Sequence, residues 1–393
     1  MGKRRTSAEI LNSVFESADQ SLKAKYKTED EVLNLVFDRQ SGRLKVDLEG
    51  GGGSKPYSNP LETYASTDPA GVLGGGLLFG NLSGSKKWIG GALAQNGKVY
   101  CAPNDASQIL EIDPVTRETS LFGSFSGSNK WIGGALAPNG KIYCAPYNSP
   151  QVLEIDPVAK TGTLFGALSG SSKWYGAVLA PNGKIYCAPY NSTQVLEIDP
   201  ATQGTRLFGS INGASKYVGG VLAPDGKIYF IPLSAGQIMV LDPTADSVEF
   251  FGTLPDDVLY KWASGALAPN GKIYCAPYQE TRVLEIDPLT RETVLFGELS
   301  AGSGKWSGGA LAPDGRIYFA PLNSSQILSV DPSSREASLF GNVGGSVNMF
   351  AGAVVSPSGG VIFVPNSSAK VLEIRQGAHG SQWWALNAYT NKF

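Results

Sequence analysis

Six lysines recur at a nearly constant interval: Lys87, Lys130, Lys173, Lys216, Lys261 and Lys305. Amines spaced evenly around a closed structure would create a local positive field, the chemistry of an anion or acidic-glycan site. The plainer reading leaves each amine in solvent with its stem across the adjacent aromatic residue. Three tyrosines, Tyr147, Tyr190 and Tyr278, keep the same step, with Asn148 and Asn191 beside the first two. Exposed aromatic rings next to amides suit stacking on sugar rings. Leu233 and Leu322 replace the tyrosine in two other copies, which argues against a uniform sugar site.

Other reactive side chains point away from catalysis. Cys101, Cys144, Cys187 and Cys275 share one repeat position, filled elsewhere by Phe230, Phe319 and Val364. Exchange with phenylalanine and valine marks a packing position, and copies on neighbouring units would lie beyond disulfide reach. Four reduced thiols suit assembly in a cytoplasm. Asp113, Asp156, Asp199, Asp242, Asp287 and Asp331 each precede a proline and read as turn residues. Spread one per repeat, they form neither a metal cage nor a close acid pair. The single histidine, His379, lies near the C-terminus. A ring-shaped hydrolase or lactonase would need a His/Asp/Glu constellation that breaks the repeat symmetry, and none is visible. The expectation is therefore no enzyme activity, no metal and no cofactor.

The elements that must hold these residues follow from the period. Leu-Phe-Gly or a near variant ends at Gly80, Gly123, Gly166, Gly209, Gly252, Gly297 and Gly341, at spacings of 43, 43, 43, 43, 45 and 44. Trp88, Trp131, Trp174, Tyr217, Trp262, Trp306 and Phe350 keep the same step, as do Asn-Gly or Asp-Gly pairs such as Asn139-Gly140. Each unit reads as four short strands: 131–138, a type I′ turn at Asn139-Gly140, 141–146, 151–155 and 163–165. Four strands per unit of about 43 residues define the blade of a β-propeller. Six units carry all four strands, whereas the seventh stops after 350–356, 361–365 and 370–374. A spare Leu77-Leu78-Phe79-Gly80 precedes the first unit. A ring loses its open edges only if its ends join, so residues 76–80 are expected to pair with 370–374. The fold class is all-β, a seven-bladed β-propeller over 76–375.

Composition agrees. Glycine is 49 of 393 residues because each unit needs several tight turns, and 42% hydrophobic content excludes a disordered chain. A net charge of −2 gives no global pull toward nucleic acid or an anionic membrane. No apolar run is long enough to span a bilayer, so no membrane insertion is expected. The N-terminus lacks the apolar core of a secretory signal, and its Met-Gly-Lys-Arg-Arg-Thr matches only the short myristoylation pattern.

Outside the ring the chain changes character. Ile10-Leu11-Asn12-Ser13-Val14-Phe15-Glu16 aligns with Val32-Leu33-Asn34-Leu35-Val36-Phe37-Asp38 at an offset of 22, and Leu22 aligns with Leu44. Residues 1–48 thus read as a small α/β arm of two repeats, each a two-turn helix capped by Ser7 or Thr28, a turn and a short strand. The apolar set Ile10, Leu11, Val14, Phe15, Leu22, Val32, Leu33, Val36, Phe37 and Leu44 is too small to bury a core alone. The arm is expected to oligomerise or attach to a partner. Residues 49–75 are a linker and connector containing Gly50-Gly51-Gly52-Gly53-Ser54, a flexible composition that also matches an engineered linker. Residues 376–393 form a tail whose Trp383, Trp384, Tyr389 and Phe393 either pack on the ring or dock on another subunit.

The phrase 130–149, Lys-Trp-Ile-Gly-Gly-Ala-Leu-Ala-Pro-Asn-Gly-Lys-Ile-Tyr-Cys-Ala-Pro-Tyr-Asn-Ser, followed by Gln-Val-Leu-Glu-Ile-Asp-Pro, resembles a family of repeat propellers of protists, viruses and phages. That resemblance covers about 77–375 and implies the fold without a shared chemistry. Segment 7–24 resembles short pieces of tailed-phage fibre and tail proteins, and 385–393 is similar to the C-termini of phage propellers. The resemblance implies a structural protein on the exterior of a phage particle, made in the host cytoplasm. Its arm would join other virion proteins, as a homotrimer, and its ring would face a host-surface glycan or receptor. A purely structural decoration or adaptor is the rival expectation.

Overall fold

The computed structural model describes residues 37–38, 43–44, 76–256, 258–344 and 346–375. The chain divides into two units, Met1–Tyr64 and Ala65–Phe393. In the first, Phe37–Asp38 pairs antiparallel with Arg43–Leu44, with Phe37 opposite Leu44. Ile10, Leu11, Val14, Phe15, Leu22, Val32, Leu33 and Val36 lie outside the described residues, as do the linker, His379 and the aromatic tail.

The second unit is a seven-bladed β-propeller, all-β and without a helix among the described residues. Each blade is an antiparallel four-stranded sheet. Blade 2 shows the pattern: Trp131–Leu136 innermost, then Ile142–Pro146, Val152–Asp156 and the outer Thr161–Phe165. The second and third strands are apolar and buried on both faces, because each sheet is covered by a blade on either side. Outer strands alternate with solvent, as Leu121, Leu164 and Phe250 show by being about 40% exposed (44%, 39% and 42%).

The ring closes as the strand count requires. Gly76–Phe79 is the outer strand of the seventh blade, with Gly76 opposite Ile374 and Phe79 opposite Val371. The two chain ends of the ring are thereby held in one sheet.

The hairpin turn differs from expectation. Within the blade 2 turn Gly140 has a positive φ, 79°, and Asn139 does not, whereas a type I′ turn would need both there. Gly140 N donates to Ala137 O at 3.0 Å, and Asn139 Oδ1 accepts Lys141 N at 3.1 Å. The turn is therefore type I over Ala137–Gly140, with Pro138 pre-set in its second place and glycine closing the loop.

Interblade contacts differ at the two faces of the ring. On the face of the Asn-Gly turns, buried glutamates tie neighbours together. Glu285 accepts Lys272 at 2.7 Å from its own blade and Arg335 at 2.8 and 3.0 Å from the next. Glu154 does the same with Lys141 and Gln203, Glu111 with Lys98 and Lys160. Across the closure, Arg117 of blade 1 meets Glu373 of blade 7 at 3.3 Å. Burial opposes ionisation of Glu285, but its Arg335 and Lys272 partners outweigh it and hold the carboxyl at about 2. A carboxylate depressed in the folded state adds stability above its unfolded value, lost as pH falls toward the folded one. Stability should therefore drop from about pH 4.5 toward about pH 2. Glu285→Gln should cost about 1–3 kcal/mol at neutral pH and flatten that drop. Urea melts at stepped pH check this; an unchanged acid slope would assign the acid loss to other carboxylates.

The four cysteines are free and buried. Burial pushes each thiol well above its ordinary range, which makes them packing residues in the native ring.

Candidate functional site: the channel mouth at the lysine and tyrosine face

The first strands converge on the ring axis. Those of blades 2 to 7 bulge near the third position, and the glycines at that place of the repeat, Gly90, Gly133, Gly176, Gly219, Gly308 and Gly352, all have positive φ. These glycines touch backbone to backbone. A Cβ on Gly133 would lie 2.9 Å from Gly176 Cα, and one on Gly176 would lie 2.8 Å from Gly219 Cα. Gly133 N donates to Ile89 O at 2.8 Å, and Gly90 N to Ala351 O at 2.7 Å, so adjacent blades are also hydrogen-bonded here. Blade 5 departs with Ser264, whose Oγ accepts Gly308 N at 2.9 Å.

Above the collar stand the residues expected to bind ligand, and the lysines are not where the charge argument put them. Lys87, Lys130, Lys173, Lys216, Lys261 and Lys305 are all buried, none more than 6% exposed. Lys130 Nζ donates to Asn104 O at 2.8 Å and Ala106 O at 2.9 Å on the preceding blade, and to Gly127 O at 2.7 Å in the connecting loop. Lys173 repeats this with Tyr147, Ser149 and Gly170 carbonyls, Lys216 with Tyr190, Ser192 and Gly213. Lys87 bridges Gly84 O and Ser368 O, which ties blade 1 to blade 7. Lys305 reaches Glu280 O at 2.6 Å. Burial draws the Lys87, Lys173 and Lys216 ammoniums down to about 8, and the carbonyl cages hold their protons. The ring of anion-binding amines is thus corrected to a ring of interblade staples. The stems do lie by the indoles, with Lys173 Nζ 5.9 Å from the Trp174 ring centroid.

The tyrosines behave differently. Tyr147, Tyr190 and Tyr278 are half-buried at the mouth, in the loops between second and third strands. Asn148 Oδ1 accepts Ser172 N and Asn191 Oδ1 accepts Ser215 N, each at 2.7 Å, so these amides fasten the next blade's loop. Tyr175 and Tyr260, which the repeat pattern passes over, complete the group. Tyr175 occupies the second place of the innermost strand, where other blades carry Ile89, Ile132, Val218, Ala263, Ser307 and Ala351. Its ring stacks on Tyr190 (centroids 6.1 Å, 28°) and meets Tyr147 edge-on at 6.3 Å. Burial pushes its hydroxyl up strongly, Tyr278 adds to this, and Ser307 pulls the other way. A side chain from blade 3 thereby senses blades 5 and 6 and stands across the axis.

Tyr175, Tyr190, Val218, Leu233, Tyr260, Ala263, Tyr278, Gln279 and Ser303 line a cavity of about 260 Å³. Burial pushes the Tyr190 hydroxyl up to about 12 and raises that of Tyr278, so the phenols stay protonated donors at neutral pH. On the rim, Gln279 Nε2 donates to Ser303 Oγ at 3.2 Å. On the other side of the mouth the tyrosine position holds Asn104 and Asn366, whose buried Oδ1 atoms have no protein partner. The repeat symmetry is broken by the tyrosines of blades 3 and 5.

With fold and mouth in view, the chain is similar to other ring-shaped proteins of known structure. No family model and no curated protein matches it. A streptogramin B lyase structure superposes with TM-score 0.65 at 16% identity, over 77% of this chain and 98% of that one. A catalytically inactive virginiamycin B lyase from Staphylococcus aureus, solved with quinupristin, gives 0.66 at 14% identity over 76% and 98%. Kuenenia stuttgartiensis hydrazine synthase gives 0.59 at 12% over 76% and 98%. Identities this low establish the fold alone. They do correct one expectation: enzymes are built on this same ring, so the reading that excluded catalysis does not stand.

Proposed function

We propose that this protein is a phage virion component whose ring is displayed outward and whose tyrosine cavity binds a host-surface glycan or receptor. The observation that carries the binding reading is the cavity itself, with Tyr175 and Tyr190 of blade 3 facing Tyr260 and Tyr278 of blade 5 across Val218 and Leu233 of blade 4. Aromatic faces with a polar edge at Gln279 and Ser303 suit an amphipathic ring such as a sugar. The virion reading rests on the resemblance of 7–24 and 385–393 to phage segments and on the order of arm before ring. Its partners would be other virion proteins through the arm, as a homotrimer. Glu280 and Arg282, beside Gln279 in sequence, pair with each other at 3.1 Å, so their charges neutralise one another.

Mass spectrometry of purified particles should find the protein, and its absence from them would end the virion reading. Tyr190→Ala should cut adsorption to host cells about tenfold or more, since losing one stacked ring costs about 1–3 kcal/mol. Unchanged adsorption would sink the binding reading. A panel of glycans should also be read for released product, because enzymes share this ring.

A further inference from the structure

We infer that the cavity takes a neutral sugar end-on, as the terminal unit of a glycan, and discriminates against acidic sugars. This rests on the glycan-binding reading above and narrows it.

Charge comes first. None of the nine residues lining the cavity is ionised at neutral pH. The lysines of the blades around it are withdrawn: Lys173, Lys216 and Lys305 donate to backbone carbonyls, and Lys261 is 1% exposed. A carboxylate entering here would lose water without gaining a cation, which is the costly case for a buried charge. The raised tyrosine hydroxyls also resist becoming anions, so they remain donors to neutral hydroxyl oxygens.

Shape comes second. At about 260 Å³ the cavity falls below the size that drug-like ligands fill. Tyr175 reaches from blade 3 to Ser307 of blade 6 and so stands across the axis beneath it, one residue before the collar glycine Gly176. A site open on one side takes the tip of a chain and excludes its interior.

The backbone gives a third, independent sign. Residues preceding the lysine position all have positive φ: Lys86, Asn129, Ser172, Ser215, Tyr260, Gly304 and Asn348. Glycine and asparagine suit that conformation, whereas a bulky aromatic does not. Blade 5 places Tyr260 there at φ 56°, and its ring lines the cavity. A strained residue at a cleft points to a demand made by the site.

The test uses the full chain and measures binding of neutral sugars (glucose, galactose, N-acetylglucosamine), their uronic acids, and chains with free or blocked ends. Neutral sugars should bind at least about tenfold tighter than their uronic acids, and this should change little with salt. Chains with blocked ends should bind at least about tenfold weaker than free-ended ones, since Tyr175 stands across the axis beneath the cavity. Tyr260→Asn, which copies Asn129 and Asn348, should raise the melting temperature while weakening binding at least about fivefold. Because that variant gains stability, lost binding cannot be misfolding. Uronic acids that bind as tightly as neutral sugars, or blocked chains that bind equally, would overturn this inference and leave the glycan reading intact. No binding by any sugar would overturn both.

Discussion

Gly308→Ala should leave little folded protein, whereas Gly219→Ala, at the same repeat position, should cost about 1–2 kcal/mol. Both glycines have positive φ, 90° and 64°, so both variants pay the left-handed penalty. Their surroundings separate them. A Cβ on Gly308 would lie 2.2 Å from Gly352 Cα, 2.5 Å from its N and 2.7 Å from its carbonyl carbon. All three atoms are backbone, and Gly352 is itself pressed against Gly90, where a Cβ would find Cα at 2.7 Å. Relief would have to propagate around the collar. On Gly219 the same atom meets nothing within 4 Å, and the residue at that position of the next blade is Ser264. The added cost at Gly308 should be about 3–5 kcal/mol, at the upper end for overpacking. Thermal melts of the pair check this. Melting temperatures within about 2 °C of each other would show that the collar yields.

The same contrast shows what the sequence discloses. The period, the strand count and the join of 76–79 to 371–374 were legible because pairing depends on pattern and on the need to bury sheet edges. The cysteine column was legible because Phe230, Phe319 and Val364 stand in for the thiol. The lysine column was read in the right place and given the wrong role. Its acceptors are backbone carbonyls of the preceding blade, and carbonyls have no letter in a sequence. The mouth was half legible. Tyr147, Tyr190 and Tyr278 recur and so attract notice, whereas Tyr175 and Tyr260 each occur in one blade and vanish when copies are averaged. A signal existed: a tyrosine alone among Ile89, Ile132, Val218, Ala263, Ser307 and Ala351 is a departure that packing does not require. In a repeat protein the shared residues build the ring, and the exceptions mark its candidate site.

Lys130→Met should destabilise the ring by about 3 kcal/mol, although methionine keeps most of the apolar stem. The lost amine makes three bonds to carbonyls, two of them on blade 1. Bonds to a charged donor are worth about 1.5–3 kcal/mol each, but they share one ammonium and do not add. Part of the gain is offset by burying the charge, the same burial that lowers the Lys130 amine. The net estimate therefore sits near one strong bond plus the cost of orphaned carbonyls. Blade 7 supplies an internal comparison. Met349 stands where the lysine would be, and the junction with blade 6 relies on Met349 N to Leu322 O and Asn348 N to Asn323 Oδ1, both 2.8 Å. The reverse change, Met349→Lys, should therefore add about 1 kcal/mol by supplying a donor to blade 6 carbonyls. Loss of the staple should also be local: amide exchange should rise first in Trp131–Leu136 and Val99–Cys101, the strands flanking that junction. If Lys130→Met melts with the parent and those amides stay protected, the cages are incidental and the blades are held by packing, the collar and loop hydrogen bonds and the glutamate ties.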